Sequence, residues 1–270
     1  MSYASLLNEL GCSYLGKANQ SAKMSKSYIN GEYTYGLYLA PSDLSGHNVC
    51  PKSEHCRAFC LNGSGRNIGD NIVHEGGLSN IDRSRIKKTR LFYDNREAFM
   101  DLLIHEINKS MVYAKAKNMG FSVRLNCTSD LSPLVFKKDG YNILDLFPNV
   151  QFYDYTKVLN RFNLMDGYHK NYDLTFSYDG YNGDDCEYVL NSGLGRVAVV
   201  FYGGLPKRFC GYDVIDGNLT DIRFRDPKGV IVGLHYHRTY NDYKVINGKR
   251  VFIAPNTPFV IMPNDQRSEW

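Results

Sequence analysis

Phe121-Ser122-Val123-Arg124-Leu125 runs directly into Asn126-Cys127-Thr128-Ser129-Asp130. The first five residues read as a strand, and the next five form a polar run poorly suited to extending it. The same grammar recurs along the chain. Val150 to Tyr155 ends in Thr156-Lys157, Tyr172 to Ser177 and Arg196 to Phe201 read as further strands, and Val230 to Leu234 as another. Upstream, Tyr33-Thr34-Tyr35-Gly36-Leu37-Tyr38-Leu39-Ala40-Pro41 is predicted to stop at Pro41, which removes the next backbone donor.

Helical patterns lie between these strands. Ser79-Asn80-Ile81-Asp82 resembles a capping box opening a basic helix to about Tyr93. From Asn95 to Asn118, Phe99, Leu102, Leu103, Ile107, Met111 and Ala114 recur at helical spacing, with Gly120 placed as the stop. Shorter helical pieces are expected at Ile143 to Phe147 and Asp184 to Leu190, and Arg250 to Pro255 as one more strand pairing at an edge. Apolar strands alternating with helices imply parallel strands covered on both faces. About six such units predict an α/β fold, a partial (β/α)6-type barrel of mainly parallel strands. One domain is expected, with an N-terminal extension over 1–33 (a short helix, then irregular chain), a core over 34–235 and a C-terminal extension over 236–270.

In such folds chemistry gathers at the C-terminal strand ends. There the sequence places its unusual polar residues: a cysteine loop over 46–65 after the first strand, Asn126 to Asp130 after the second, Asp154 to Lys157 after the third. Of seven cysteines, Cys12, Cys127, Cys186 and Cys210 are solitary, whereas Cys50, Cys56 and Cys60 fall at C-x5-C-x3-C among Gly, Ser, Asn and Pro. Three clustered thiols that no core can hide point to a soft metal. A [4Fe-4S] cluster held at three corners suits them, and zinc is the alternative, although the spacing does not match paired C-x2-C knuckles. His47, His55, His74 and Cys127 are the candidate fourth ligands, while His105 inside the long helix is a surface or core residue.

At 270 residues and 43% apolar content the chain can bury a real core. No stretch approaches the roughly 18 apolar residues of a membrane span and the N-terminus lacks a signal pattern, so no membrane contact and a cytoplasmic location are expected. The net charge of +4 owes much to Arg83, Arg85, Lys87, Lys88 and Arg90, read as a solvated helix face with nucleic-acid contact as the alternative.

Several motifs carry a resemblance. Gly46-His47-x-Val49-Cys50-Pro51, Cys56-x3-Cys60-Leu61, Lys88-Thr89-Arg90, Val123 to Asp130, Phe152 to Lys157 and Val214-Ile215-Asp216-Gly217 resemble the gene product 88 family of bacteriophage proteins, in the same order from about residue 16 to 235. That resemblance implies a phage origin, the host cytoplasm and little settled activity. Cys127 stands where the family motif has glycine, either as a fourth thiolate or as a tolerated small residue.

A more distant likeness is to radical S-adenosylmethionine enzymes, with three cysteines after the first strand of a partial barrel. The C-x5-C-x3-C spacing departs from their usual C-x3-C-x2-C, and Asn126 to Asp130 stands where their Gly-Gly-Glu-like motif would be. This likeness implies a cluster on Cys50, Cys56 and Cys60 that binds S-adenosylmethionine. Arg124, Asn126, Ser129 and Asp130 would face its amino-acid end, and Tyr153, Asp154, Tyr155 and Lys157 an unidentified small or macromolecular substrate. A buried Arg124–Asp154 ion pair and aromatic packing are the structural alternatives. A non-enzymatic phage protein, with iron-sulfur or zinc shaping a surface for nucleic acid or a host protein, is the other functional class.

Overall fold

The computed structural model describes every residue except 1–2, 19–21, 65–76, 166–168, 266 and 268. By contact the chain divides into two compact units. The first is Met1–Pro51, Ser84–Thr175 and Leu219–Asp226; the second is Lys52–Arg83, Phe176–Asn218 and Pro227–Trp270.

The first unit opens with α1 (Tyr3–Leu10), β1 (Gly16–Ala18), α2 (Ala22–Ile29) and β2 (Glu32–Leu37). It continues through most of α3 (Asn80–Asp94), α4 (Arg96–Ala116) and β3 (Gly120–Arg124). The small ladder β4 (Lys137–Lys138) with β5 (Tyr141–Asn142), the short α5 (Ile143–Leu146), β6 (Gln151–Thr156) and the start of β7 (Tyr172–Ser177) complete it. Its sheet runs in the order β1, β2, β3, β6, β7. β2 pairs parallel with β3, setting Gly36 opposite Arg124, and β3 parallel with β6, setting Val123 opposite Phe152. β1 joins β2 antiparallel at the edge.

Successive strand residues point to opposite faces, and here the two faces differ in kind. One carries Tyr35, Val123 and Phe152 and packs on α4, whose buried residues include Phe99, Leu102, Leu103, Ile107 and Ala114. Met111 is only half-buried, unlike the other periodic positions. The other face carries Glu32, Thr34, Ser122, Arg124, Tyr153 and Tyr155. The Leu219–Asp226 segment covers it: the Arg225 Nη2 meets Glu32 Oε2 at 2.5 Å, and Phe224 lies 5.4 Å from the Tyr153 ring. The strands are therefore not uniformly apolar, because one face buries charge against charge.

The capping box forms as expected. Ser79 Oγ accepts the Asp82 N–H at 3.0 Å while Asp82 Oδ2 accepts the Ser79 hydroxyl at 2.9 Å. Asn95 caps α4 by accepting the Ala98 N–H at 3.0 Å. The helix does not reach Gly120. It ends at Lys117 and Asn118 takes the left-handed turn at φ 53°, whereas Gly120 opens β3 where a Cβ would collide with the Glu32 carboxylate. β2 likewise stops at Leu37 rather than Pro41; beyond it the Ala40 N–H leaves the sheet and donates to Thr89 Oγ1 at 2.8 Å. In residues 1–33 the weak periodicity hid β1 and α2.

Glu106 on α4 fastens the N-terminal elements. Its buried carboxylate accepts Leu15 N–H and Gly16 N–H, both at 2.7 Å, Tyr35 Oη at 2.6 Å and Tyr3 Oη at 2.9 Å. Glu106→Gln turns one acceptor oxygen into a donor facing donors, so chemical unfolding should show a loss of about 2 kcal/mol; an unchanged midpoint would contradict this role.

In the second unit β8 (Arg196–Phe201) pairs parallel with β11 (Ile231–His235) and, at its end, with β14 (Val260–Ile261). β10 (Tyr212–Asp216) runs parallel to β11 and carries the antiparallel β9 (Arg208–Phe209) at its edge. α6 (Gly183–Asn191) packs on β8 and ends as predicted, with Gly193 at φ 66°. Arg250 to Pro255 does not extend this sheet: β13 (Lys249–Phe252) pairs only with β12 (Tyr243–Ile246) in a separate hairpin.

The architecture is thus mixed α/β with mostly parallel strands. The predicted barrel is not found, since the strand path ends at β1 and β9 and no pairing among the described residues closes it. No helix among the described residues is long and apolar enough to cross a membrane.

Candidate functional site

Because β2, β3 and β6 are parallel, their C-terminal ends lie at one edge of the first unit's sheet, and the predicted loops do meet there. The Cys127 N–H donates to Leu37 O at 3.2 Å and Thr128 Oγ1 donates to Leu39 O at 2.6 Å. The Asp130 N–H donates to Val49 O at 2.8 Å, so the stretch leading to Cys50 is laid across the loop that follows β3. Cys50 Sγ sits 3.8 Å from Thr128 O and accepts the Ser42 N–H at 3.3 Å.

Most predicted residues in this loop hold it together. Asn126 donates through its backbone N–H to Asp154 Oδ1 at 2.7 Å and through Nδ2 to Asp154 Oδ2 at 3.0 Å and Leu131 O at 2.9 Å. Its Oδ1 accepts Ser129 Oγ and the Leu131 N–H, both at 2.8 Å. Asn126 and Ser129 are therefore positioning residues. Asp130 binds the β6 end, accepting the Lys157 N–H at 3.0 Å and pairing with Arg161.

Asp154 is fully buried and also accepts Tyr172 Oη at 3.3 Å. Burial pushes its carboxyl up to about 7, against the Asn126 donors that favour the anion. A carboxyl able to exchange a proton near neutrality is thereby placed at a strand end.

On the opposite sheet face Arg124 finds a partner other than the one expected. Its Nη1 pairs with Asp221 Oδ2 at 2.8 Å, not with Asp154, and its guanidinium lies 4.6 Å over the Tyr155 ring. Tyr153 Oη donates to the same Asp221 oxygen at 3.3 Å. Burial opposes the Arg124 charge, and the Asp221 carboxylate overcomes it, raising its pKa well above normal. Arg124 Nε, Asp221 Oδ1 and Tyr155 Oη are buried without hydrogen-bond partners among the described residues. Sequence reading passed over Asp221; its signal was Asp221, Arg223 and Arg225 alternating in charge inside a short irregular stretch.

The remaining cysteines of the loop belong to the second unit. Cys56 and Cys60 bracket the 3-10 turn Arg57–Phe59, and Cys60 Sγ accepts the Asn62 N–H at 3.5 Å. Asn62 Nδ2 donates to Asp82 Oδ1 at 2.8 Å and Asn241 Nδ2 to Ala58 O at 2.7 Å, which fastens the turn. All three thiols are half-buried. Two of them, Cys50 and Cys60, accept backbone N–H donors. The donor chemistry suits a soft metal. However, among the described residues no group of three or more Cys, His, Asp or Glu is gathered tightly enough to hold a metal ion.

The fourth-ligand candidates have other contacts. His47 stacks on Tyr93 at 4.0 Å and His55 packs against Tyr181 at 4.1 Å. Cys127 fills the space above Gly36, where a Cβ would lie 2.9 Å from its sulfur, and burial pushes its thiol up to about 12. It behaves as a packed, protonated side chain. His74 lies outside the described residues.

The basic helix is only partly a solvated face. Lys88 is buried and sits 4.6 Å over the Tyr14 ring, Arg85 lies 5.2 Å over Tyr38, and Arg90 Nε donates to Ser45 O at 3.2 Å.

No curated protein and no solved structure matches the chain significantly. The family model described as Gene product 88 matches residues 10–248, which takes in the cysteine loop, the strand ends and Asp221 alike. The chain belongs to the gene product 88 family, the bacteriophage family whose motifs its sequence carries.

Proposed function

We propose that this is an iron-sulfur protein in which Cys50, Cys56 and Cys60 hold a cluster, with a polar ligand site at the adjoining ends of β3 and β6. The observation that carries the reading is the packing of Cys50, on the segment after β2, against the loop that follows β3, its sulfur accepting a backbone N–H. Only five residues separate Cys50 from Cys56, so the chain itself keeps the three thiols within reach of one another. The bound cluster would supply one-electron chemistry or an open iron site. This chain's own residues would do the rest: Asn126 and Ser129 fix the loop, Arg124 presents a fixed positive charge, and Asp154 holds or releases a proton near neutral pH.

Anaerobic reconstitution with iron and sulfide tests this. Wild type should gain a broad visible absorption that bleaches on reduction, and Cys50→Ala, Cys56→Ala and Cys60→Ala should each lose most of it, whereas Cys127→Ala should keep it. Equal reconstitution of all four variants would defeat the ligand assignment. In the same sample, release of 5′-deoxyadenosine on reduction would extend the reading to S-adenosylmethionine chemistry; an intact cluster without release would leave an iron-sulfur binding protein. Zinc in place of iron would make the loop a structural staple.

A further inference from the structure

The hairpin of β12 and β13 pairs with no strand of the main sheet among the described residues. Asn247 and Gly248, at φ 50° and 72°, form the tight left-handed turn that two-residue hairpins favour. The register sets Tyr243 opposite Phe252, Lys244 opposite Val251, Val245 opposite Arg250 and Ile246 opposite Lys249. The base is anchored: Phe252 stacks with Tyr202 at 6.5 Å and carries the Arg238 guanidinium 4.1 Å above its ring. Beyond that base the arm is exposed on both faces, with Val245 70% and Ile246 46% accessible. An isolated two-stranded hairpin is marginal in water, and exposed β-branched residues on it imply a partner.

We propose that this arm is a β-ribbon that enters the groove of double-stranded nucleic acid. Lys244, Lys249 and Arg250 are exposed, and no Asp or Glu occurs from Tyr243 to Asn264, so the partner must be a polyanion. Two strands about 5 Å apart fit a major groove about 12 Å wide. On each outer pair a cation stands beside an aliphatic side chain, so phosphates or guanine edges and thymine methyls can be met together. A protein partner with an apolar surface would strand three cations without counter-charge. An anionic bilayer would want an apolar tip, whereas this tip is Asn247-Gly248-Lys249-Arg250.

The test is fluorescence anisotropy of a labelled mixed-sequence DNA duplex titrated with the full chain across a series of KCl concentrations. Wild type should bind at low salt. The triple variant Lys244→Gln, Lys249→Gln, Arg250→Gln should bind roughly tenfold or more weakly, with the log–log salt slope reduced by about 3. Its thermal midpoint should match wild type, because all three positions are exposed. Neutralising Arg83, Lys87 and Arg90 instead should leave duplex affinity within about twofold, a difference of some 0.4 kcal/mol. Failure to bind duplex, unchanged affinity of the hairpin variant, or binding to anionic vesicles but not to DNA would each overturn the proposal.

Discussion

Asp221→Ala should lower the unfolding free energy by about 3–5 kcal/mol, the usual consequence of stripping one partner from a buried ion pair. Asp221 is the only carboxylate bonded to Arg124 among the described residues, at 2.8 Å, and it also receives Tyr153 Oη at 3.3 Å. Its removal leaves a guanidinium facing Tyr155 and a phenol with no acceptor. Arg124 already has one nitrogen, Nε, without a partner among the described residues, and cannot shed its charge. Denaturant unfolding of three variants separates charge from packing. Asp221→Asn, which keeps a hydrogen-bond acceptor, should lose less than Asp221→Ala. Arg124→Met combined with Asp221→Leu should recover much of the loss, because replacing both partners removes the stranded charge. A cost below about 1 kcal/mol for Asp221→Ala would mean that water already solvates Arg124, and the buried polar face would not be the closed site described.

Asp154 should make stability fall as pH rises from about 4 to about 7. In the unfolded chain its carboxyl titrates near 3.8; in the folded protein burial raises it to about 7. Between those values the native state binds a proton that the unfolded state has lost, so the stabilising term is complete below about pH 4 and gone above about pH 7. Each tenfold in protonation is worth about 1.4 kcal/mol, so the full span is about 4 kcal/mol. Asp154→Asn, an uncharged stand-in for the protonated form, should be more stable than wild type at pH 8 and about equal at pH 4. Identical pH profiles for the two proteins would show that Asp154 stays ionised throughout, held by Asn126 and Tyr172, and would remove it as a proton carrier.

Periodicity made most of the fold legible. The long amphipathic α4 and the strands β6, β7 and β8 appear within a residue or two of their predicted limits, because each has a strong apolar signal. The barrel did not follow from the same signal. Counting strands says nothing about closure, which depends on pairings at the edges, and those edges are β1 and β9, short strands of three and two residues with little pattern of their own. Reading the strands as continuously apolar also concealed the polar face of Glu32, Thr34, Ser122 and Arg124. Only the neutralising Leu219–Asp226 segment, far off in sequence, lets those residues be buried.

The candidate site was legible where local rules apply. Polar residues at the ends of parallel strands converge in the first unit, and Cys50 joins them. Partnership was not legible: Arg124 pairs with Asp221 across 97 residues rather than with Asp154. Cys127 looked like one more thiol in sequence, yet its position over Gly36 makes it a packing residue.

The claim that Cys50, Cys56 and Cys60 hold an iron-sulfur cluster is tested most directly by the iron, zinc and acid-labile sulfide content of protein purified without oxygen. A chain carrying about four irons and four sulfides, lost when the three cysteines are replaced by serine, is the predicted result. Zinc alone, or iron retained in the triple serine variant, would contradict it.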